Sequence, residues 1–235
     1  MKKKVLILST YDTFFLNDLL IKLIKQCDKN IEFKFFLVSD HYSSFKNILI
    51  KFLSFGFLKS TILIIVSCYR KFKKQCIADI FYNHVITGKN LKEIEDEIKK
   101  NDLILSINYP YLIPQKYLQL TKYGGINHHL GKLPTYAGRY PVAKAIINKE
   151  DKIYITIHNI TKNFDSGEIL SETIVDISDL KNNFFEIYKR IFKRSLEPIS
   201  NSLMKKNVFS TVNDENKAKI KNLKLSDLFK LYFLR

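Results

Sequence analysis

Residues 5–38 read VLILSTYDTFFLNDLLIKLIKQCDKNIEFKFFLV. Val5 to Thr10 is a continuous apolar run bounded by polar residues, the pattern of a strand buried on both faces of a parallel sheet. From Phe14 to Cys27 the apolar residues Phe15, Leu19, Leu20, Leu23 and Ile24 recur at helical spacing. Ile31 to Val38 is apolar again and reads as a second strand. Strand, helix and strand in succession make the repeating unit of a parallel sheet.

The alternation continues along the chain. Helical or mixed material is predicted to about Lys74, then a short strand over Ile80–Ile86. Asn90–Lys100 reads as a charged helix capped by Asn90, with Glu93 three residues on. Leu103–Ile107 is a strand, Gln115–Thr121 helical, and Gly125–His128 the start of another strand. Pro141–Asn148 is a helix with proline at its start. Ile153–Ile160 and Ile169–Ile177 are strands, and Leu180–Met204 is one long amphipathic helix containing Pro198. The prediction is an α/β, Rossmann-like fold: a mostly parallel twisted sheet flanked by helices, with a short C-terminal extension. Residues 1–205 are expected to form the core domain and 206–235 the extension. The apolar segment Leu228–Leu234 is the candidate contact of a homodimer.

The chain has 235 residues, 39 Lys or Arg against 23 Asp or Glu, and a net charge of +16. With 46% hydrophobic residues it can bury a core, which excludes bulk disorder. The charge suits polyanionic partners or a solvated lysine-rich surface. No dense basic run carries interleaved aromatics, so no nucleic-acid partner is expected. Cys27, Cys68 and Cys76 lack metal-ligand spacing, so no metal is expected. Their odd number fits reduced thiols and a cytoplasmic location. The apolar run after Lys4 is too short for a signal peptide. Ile48–Tyr69 is the most membrane-like stretch, but Lys51 and Lys59 interrupt the roughly twenty uncharged residues of a spanning helix. Between Asp40 and Asp79 lie seven basic residues and no acid. That fits a helix on an anionic membrane surface. A buried helix with a basic outer face accounts for it as well and is the preferred expectation.

Five of the seven glycines and four of the five prolines fall between Pro110 and Gly167. Such residues shape loops, where sites gather. At the end of a strand, Asn127 and His129 are two residues apart and share a face. Asp165 lies in a second loop between strands. Asn, His and Asp together suit acyl transfer. The amide donates to a developing oxyanion, the imidazole manages a proton, and the carboxylate orients or tunes the imidazole. Read from composition alone, the preferred expectation is that Asn127 and Asp165 cap turns and the histidine pair is a surface feature.

Asn127-His128-His129-Leu130-Gly131-Lys132-Leu133-Pro134-Thr135-Tyr136-Ala137-Gly138-Arg139-Tyr140-Pro141 resembles the N-x-H-x-x-x-L-P-x-x-x-G-x-x-P signature of the folate-dependent formyltransferases. Thr156-Ile157-His158 and Asp165-Ser166-Gly167-Glu168-Ile169-Leu170 resemble two further blocks of that family, and Asn108–Pro114 resembles its pterin-binding turn. The resemblance implies Asn127, His129 and Asp165 as the catalytic trio and N10-formyltetrahydrofolate as formyl donor, with no metal. It places the pterin between Tyr109, Leu112, Ile113 and Pro114 on one side and Lys162, Asn163 and Phe164 on the other. His128 has no catalytic role in this reading, and His158 is expected to pack. The chain departs from the family at Gly131-Lys132, where Ser-Leu is common, and at Ala137, where Arg is usual. Arg139 after the glycine resembles the branch acting on nucleotide-linked amino sugars, and Arg suits phosphate.

Within the family the implied substrate is a dTDP- or UDP-linked amino-dideoxyhexose destined for surface polysaccharide. Tyr11, Tyr136 and Arg139 are then the expected substrate contacts. The segment Ser9–Phe14 has no glycine to cradle a phosphate, against a glycinamide ribonucleotide substrate. The methionyl-tRNA and formyltetrahydrofolate hydrolase readings remain alternatives. So does a basic adaptor without catalysis, which does not need the whole trio.

Overall fold

The computed structural model describes residues 2–11, 15–27, 29–38, 56–180 and 183–205. Among them, seven strands form one sheet: β1 (Lys3–Thr10), β2 (Ile31–Val38), β3 (Val85–Gly88), β4 (Leu103–Ile107), β5 (Gly125–His129), β6 (Lys152–Asn159) and β7 (Ile169–Asp176). Their order is β3-β2-β1-β4-β5-β6-β7. The first five run parallel; β6 and β7 pair antiparallel at one end. The mostly parallel Rossmann-like sheet expected from the alternation is therefore present.

The helices are α1 (Phe15–Cys27), α2 (Phe57–Phe72), α3 (Ile77–Ile80), α4 (Glu95–Lys99), α5 (Gln115–Leu118), α6 (Pro141–Ile147) and α7 (Phe184–Met204). The period of two in β1 divides the core. Val5 and Ile7 face a cluster with Leu20 and Leu23 of α1 and Ile199 of α7. Leu6 and Leu8 face the opposite cluster, with Ile104, Ile113 and Leu118. Phe15 stacks on Phe192 at 5.8 Å and so ties α1 to α7. Buried Asn17 accepts from the Ile77 amide at 2.7 Å and donates to the Gln75 carbonyl at 3.3 Å, tying α1 to α3.

Several boundaries differ from the sequence reading. The strand expected over Ile80–Ile86 is β3 at Val85–Gly88; before it, Asp79 accepts from the Cys76 amide at 3.3 Å and starts the turn of α3. The single helix expected over Asn90–Lys100 is a 3-10 turn, Leu91–Ile94, followed by α4. Asn90 accepts from Lys92 N, while Glu93 reaches Lys89 N instead of Asn90 N, so the capping box is not closed. The last helix begins at Phe184 rather than Leu180, because Ser178–Leu180 forms its own 3-10 turn. Of the stretch expected to show a basic outer face, residues 48–55 lie outside the described residues; in the described part α2 turns Leu58, Ile62, Ile65 and Tyr69 outward instead. The proposed extension 206–235, with Leu228–Leu234, lies outside the described residues. Among the described residues no helix is long and apolar enough to cross a membrane.

Candidate active site

Strand alternation places Asn127 and His129 on one face of β5 and sends His128 to the other. The antiparallel register sets His158 of β6 directly opposite Asn127. Asn127 Nδ2 lies 3.1 Å from His158 Nε2. His158 Nδ1 donates to the Asn159 carbonyl at 2.8 Å, so in this tautomer Nε2 accepts from the Asn127 amide. His158, expected only to pack, thus belongs to the site.

Asp165 arrives from the β6–β7 loop with a left-handed φ of 48°. Thr161 Oγ1 and Ser166 Oγ meet at 2.6 Å and brace the loop. A Cβ on Gly167 would lie 1.9 Å from the Asn159 carbonyl oxygen, so only glycine lets the loop fold this close. The carboxylate accepts from Gly138 N at 2.7 Å and from Asn127 Nδ2 at 3.2 Å. It also lies 3.5 Å from His129 Nδ1 and 3.4 Å from His158 Nε2. The structure therefore brings Asn127, His129 and Asp165 together from one strand and one loop.

Burial favours a neutral Asp165, but the close approach of His158 and His129 and the Gly138 amide outweigh it and hold its pKa down to about 2. Burial lowers the His129 pKa against the opposing pull of Asp165 and the Tyr136 carbonyl, with His158 and Lys144 lowering it further. His129 Nε2 donates to that carbonyl at 2.9 Å, leaving the Nδ1 lone pair toward the carboxylate. The pair is thus an ionised acid beside a neutral base at pH 7. Such a base takes a proton at Nδ1, and the carboxylate then stabilises the imidazolium. His128 is buried on the other face, where its ring nitrogen Nε2 lies 2.9 Å from Ser195 Oγ of α7. Burial first, then His129, depresses its pKa to about 3.

The remaining expected contacts divide. Ile113 is buried in the core on the Asn127 face, with half-buried Tyr109 packed against the same cluster. Leu112 and Pro114 of this turn are exposed, as are Lys162 and Phe164 of the Asp165 loop, with Asn163 half-buried. Tyr11 follows β1 and carries Lys71 Nζ over its ring at 5.5 Å. Burial, with a Cys76 hydrogen bond, pushes its hydroxyl up to about 12. Arg139 is exposed and stacks on Tyr140 at 5.5 Å. Tyr136 is a correction: its ring lies in the α6–α7 core, and its hydroxyl donates to Glu150 at 2.6 Å. A buried ring with an engaged hydroxyl contributes its carbonyl to the site, not a substrate contact. Gly131 has a local reason as well, since a Cβ there would meet Pro141 Cβ at 2.6 Å. Among the described residues, no group of His, Cys, Asp and Glu side chains is arranged to hold a metal ion.

Residues 63–202, more than half of the chain, match the family described as formyl transferase. The chain belongs to the formyl transferase family. This formyl transferase chain is 35% identical over 95 residues to the GDP-perosamine N-formyltransferase of Brucella melitensis, covering 40% of this chain and 37% of that protein. It is 34% identical over 110 residues to the methionyl-tRNA formyltransferase of Ehrlichia ruminantium, covering 45% and 36%. The chain thus spans well under half the length of these curated relatives. Its fold is similar to that of a 4-N formyltransferase from Francisella tularensis, with TM-score 0.59 and 20% identity over 98% of this chain and 86% of that one. It is also similar to glycinamide ribonucleotide transformylase 1 from Geobacillus kaustophilus, with TM-score 0.59 and 16% identity over 86% and 97%.

The sequence reading missed His158, the Gly138 amide and the Tyr136 carbonyl as parts of the site. The register opposite Asn127 is what recruits His158, and backbone donors leave no mark on residue type.

Proposed function

We propose that this chain moves a formyl group from N10-formyltetrahydrofolate to the amine of a nucleotide-linked amino sugar. The observation that carries the reading is a neutral His129 beside the ionised Asp165, with Asn127 bonded to the same carboxylate. The donor set fits a carbonyl that gains negative charge while an amine loses a proton. The exposed Leu112 and Phe164 offer apolar surface to a flat heterocycle, from loops before and after the site strand. The 35% identity to a GDP-perosamine N-formyltransferase favours a nucleotide-linked amino sugar as acceptor.

In this mechanism His129 Nδ1 takes the proton of the attacking amine and later returns it to the leaving nitrogen of the donor. Asp165 holds the imidazolium between these transfers. Asn127 spends its amide hydrogens on Asp165 and His158. As charge develops on the formyl oxygen, the N–H now aimed at His158 turns to it. His158 positions the Asn127 amide. Arg139 and Tyr11 meet the diphosphate end of the acceptor, where a guanidinium fork suits phosphate.

The test is a mass-spectrometric transfer assay with the donor and a panel of dTDP-, UDP- and GDP-linked amino sugars. One panel member gaining a single formyl group is the expected result. Folate binding without sugar transfer, and formylation of methionyl-tRNA instead, would overturn the acceptor. Neither transfer nor saturable folate binding would overturn the enzyme reading and favour an adaptor.

A further inference from the structure

The inner side of α2 is tied to the protein at both ends. Lys59 Nζ donates to Asn183 Oδ1 at 2.7 Å, and Arg70 pairs with Asp18 at 3.0 Å. Ser60, between these ties, is buried. The outer side is a stripe of Leu58, Ile62, Ile65, Tyr69 and Phe72, in alternating steps of four and three residues. Leu58 is 72% exposed and Phe72 81%; Ile62, Ile65 and Tyr69 are each about half exposed. Lys71, Lys73 and Lys74 are exposed at the C-terminal end of the helix.

An apolar face this continuous marks an interaction surface. Charge decides what covers it. No Asp or Glu occurs between Asp40 and Asp79, so two copies meeting stripe to stripe would offer the lysines no carboxylate from either helix. A single pair of sixteen-residue helices also buries well under the roughly 800 Å² per partner of a standard interface. Nucleic acid would meet aliphatic side chains where it needs cations. An anionic bilayer answers both features: acyl chains take the stripe and lipid phosphates take the lysines.

We infer that α2 is an interfacial helix that seats the protein on an anionic lipid surface through Leu58, Ile62, Ile65, Tyr69 and Phe72, with Lys73 and Lys74 at the headgroups. It lies in the surface rather than across it. Lys71 stands over Tyr11, so the lipid-facing element ends beside the carboxyl end of β1. The inference is independent of the formyl-transfer reading.

The experiment is cosedimentation of the full chain with vesicles of equal parts phosphatidylcholine and phosphatidylglycerol, against pure phosphatidylcholine. Binding to the anionic vesicles alone, weakened by salt, is expected. Replacing Ile65 and Phe72 by Glu should lower the partition at least about ten-fold, with circular dichroism and Tm unchanged. Lys73→Gln and Lys74→Gln should each lower it roughly five-fold. Absence of cosedimentation at low salt, or unaltered binding by the Glu variant, overturns the inference. So does a dimer that persists with vesicles and dissociates only in the Glu variant, which would assign the face to a second copy.

Discussion

Asp165, held at about 2, lies 3.5 Å from His129 Nδ1, and its charge raises the proton affinity that burial lowers in that imidazole. Asp165→Asn removes that support. We expect its residual kcat/KM to keep an acid limb, displaced to lower pH than in the wild type, because the remaining influences on His129 lower its pKa. A pH–rate profile of both proteins checks this; an upward displacement would reject the assignment of His129 as base. His129→Ala should lose about 10²- to 10⁴-fold in kcat/KM with the fold retained, measured by formyl transfer and circular dichroism. Asn127→Ala should fall by about 10²- to 10³-fold as an oxyanion donor is lost. At this scale the trio was legible through the family resemblance: spacing put Asn127 and His129 on one strand face and Asp165 in a glycine turn, but left turn caps the preferred reading. His158 was not, because a strand pairing 31 residues away creates its contact with Asn127. Nor was the Tyr136 ring, whose direction depends on how α6 packs.

Elements hold the site through a few close approaches. The Asp165 loop folds back only because Gly167 lies against the Asn159 carbonyl. Gly167→Ala should lower stability by about 1–3 kcal/mol, as overpacking does, and should also depress turnover by moving Asp165. Urea melts and the transfer assay read the two effects separately. Asn17→Ala should also lower stability, by about 1–3 kcal/mol, since it leaves the buried Ile77 amide without its acceptor. An unchanged urea midpoint would show that the α1–α3 tie contributes nothing. Strand and helix identities followed from period, but their ends did not. The start of α3 and of the 3-10 turn at Leu91 depend on side chains such as Asp79 and Glu93 choosing one amide over another.

Over the whole molecule, His128 couples the sheet to α7 and to pH. An unfolded histidine titrates near 6.5, and His128 in the fold near 3. Between those values the unfolded chain binds a proton that the folded chain refuses. Stability is therefore full above about 6.5 and declines as pH falls toward 3. Thermal melts across this window should show a shallower acid decline for His128→Asn than for the wild type, even if that variant is less stable at pH 7. By itself, the sequence determined the α/β alternation, the two core faces of β1 and the candidate residues Asn127, His129 and Asp165. The alternation and the core faces follow from local period, which adjacent residues carry, and the three candidates from side-chain chemistry together with the motif resemblance. The tertiary structure decided the antiparallel β5–β6 register that brings in His158, the backbone donors around Asp165 and the outward turn of the α2 stripe. Each depends on which distant segment packs alongside, and only the folded chain makes that choice.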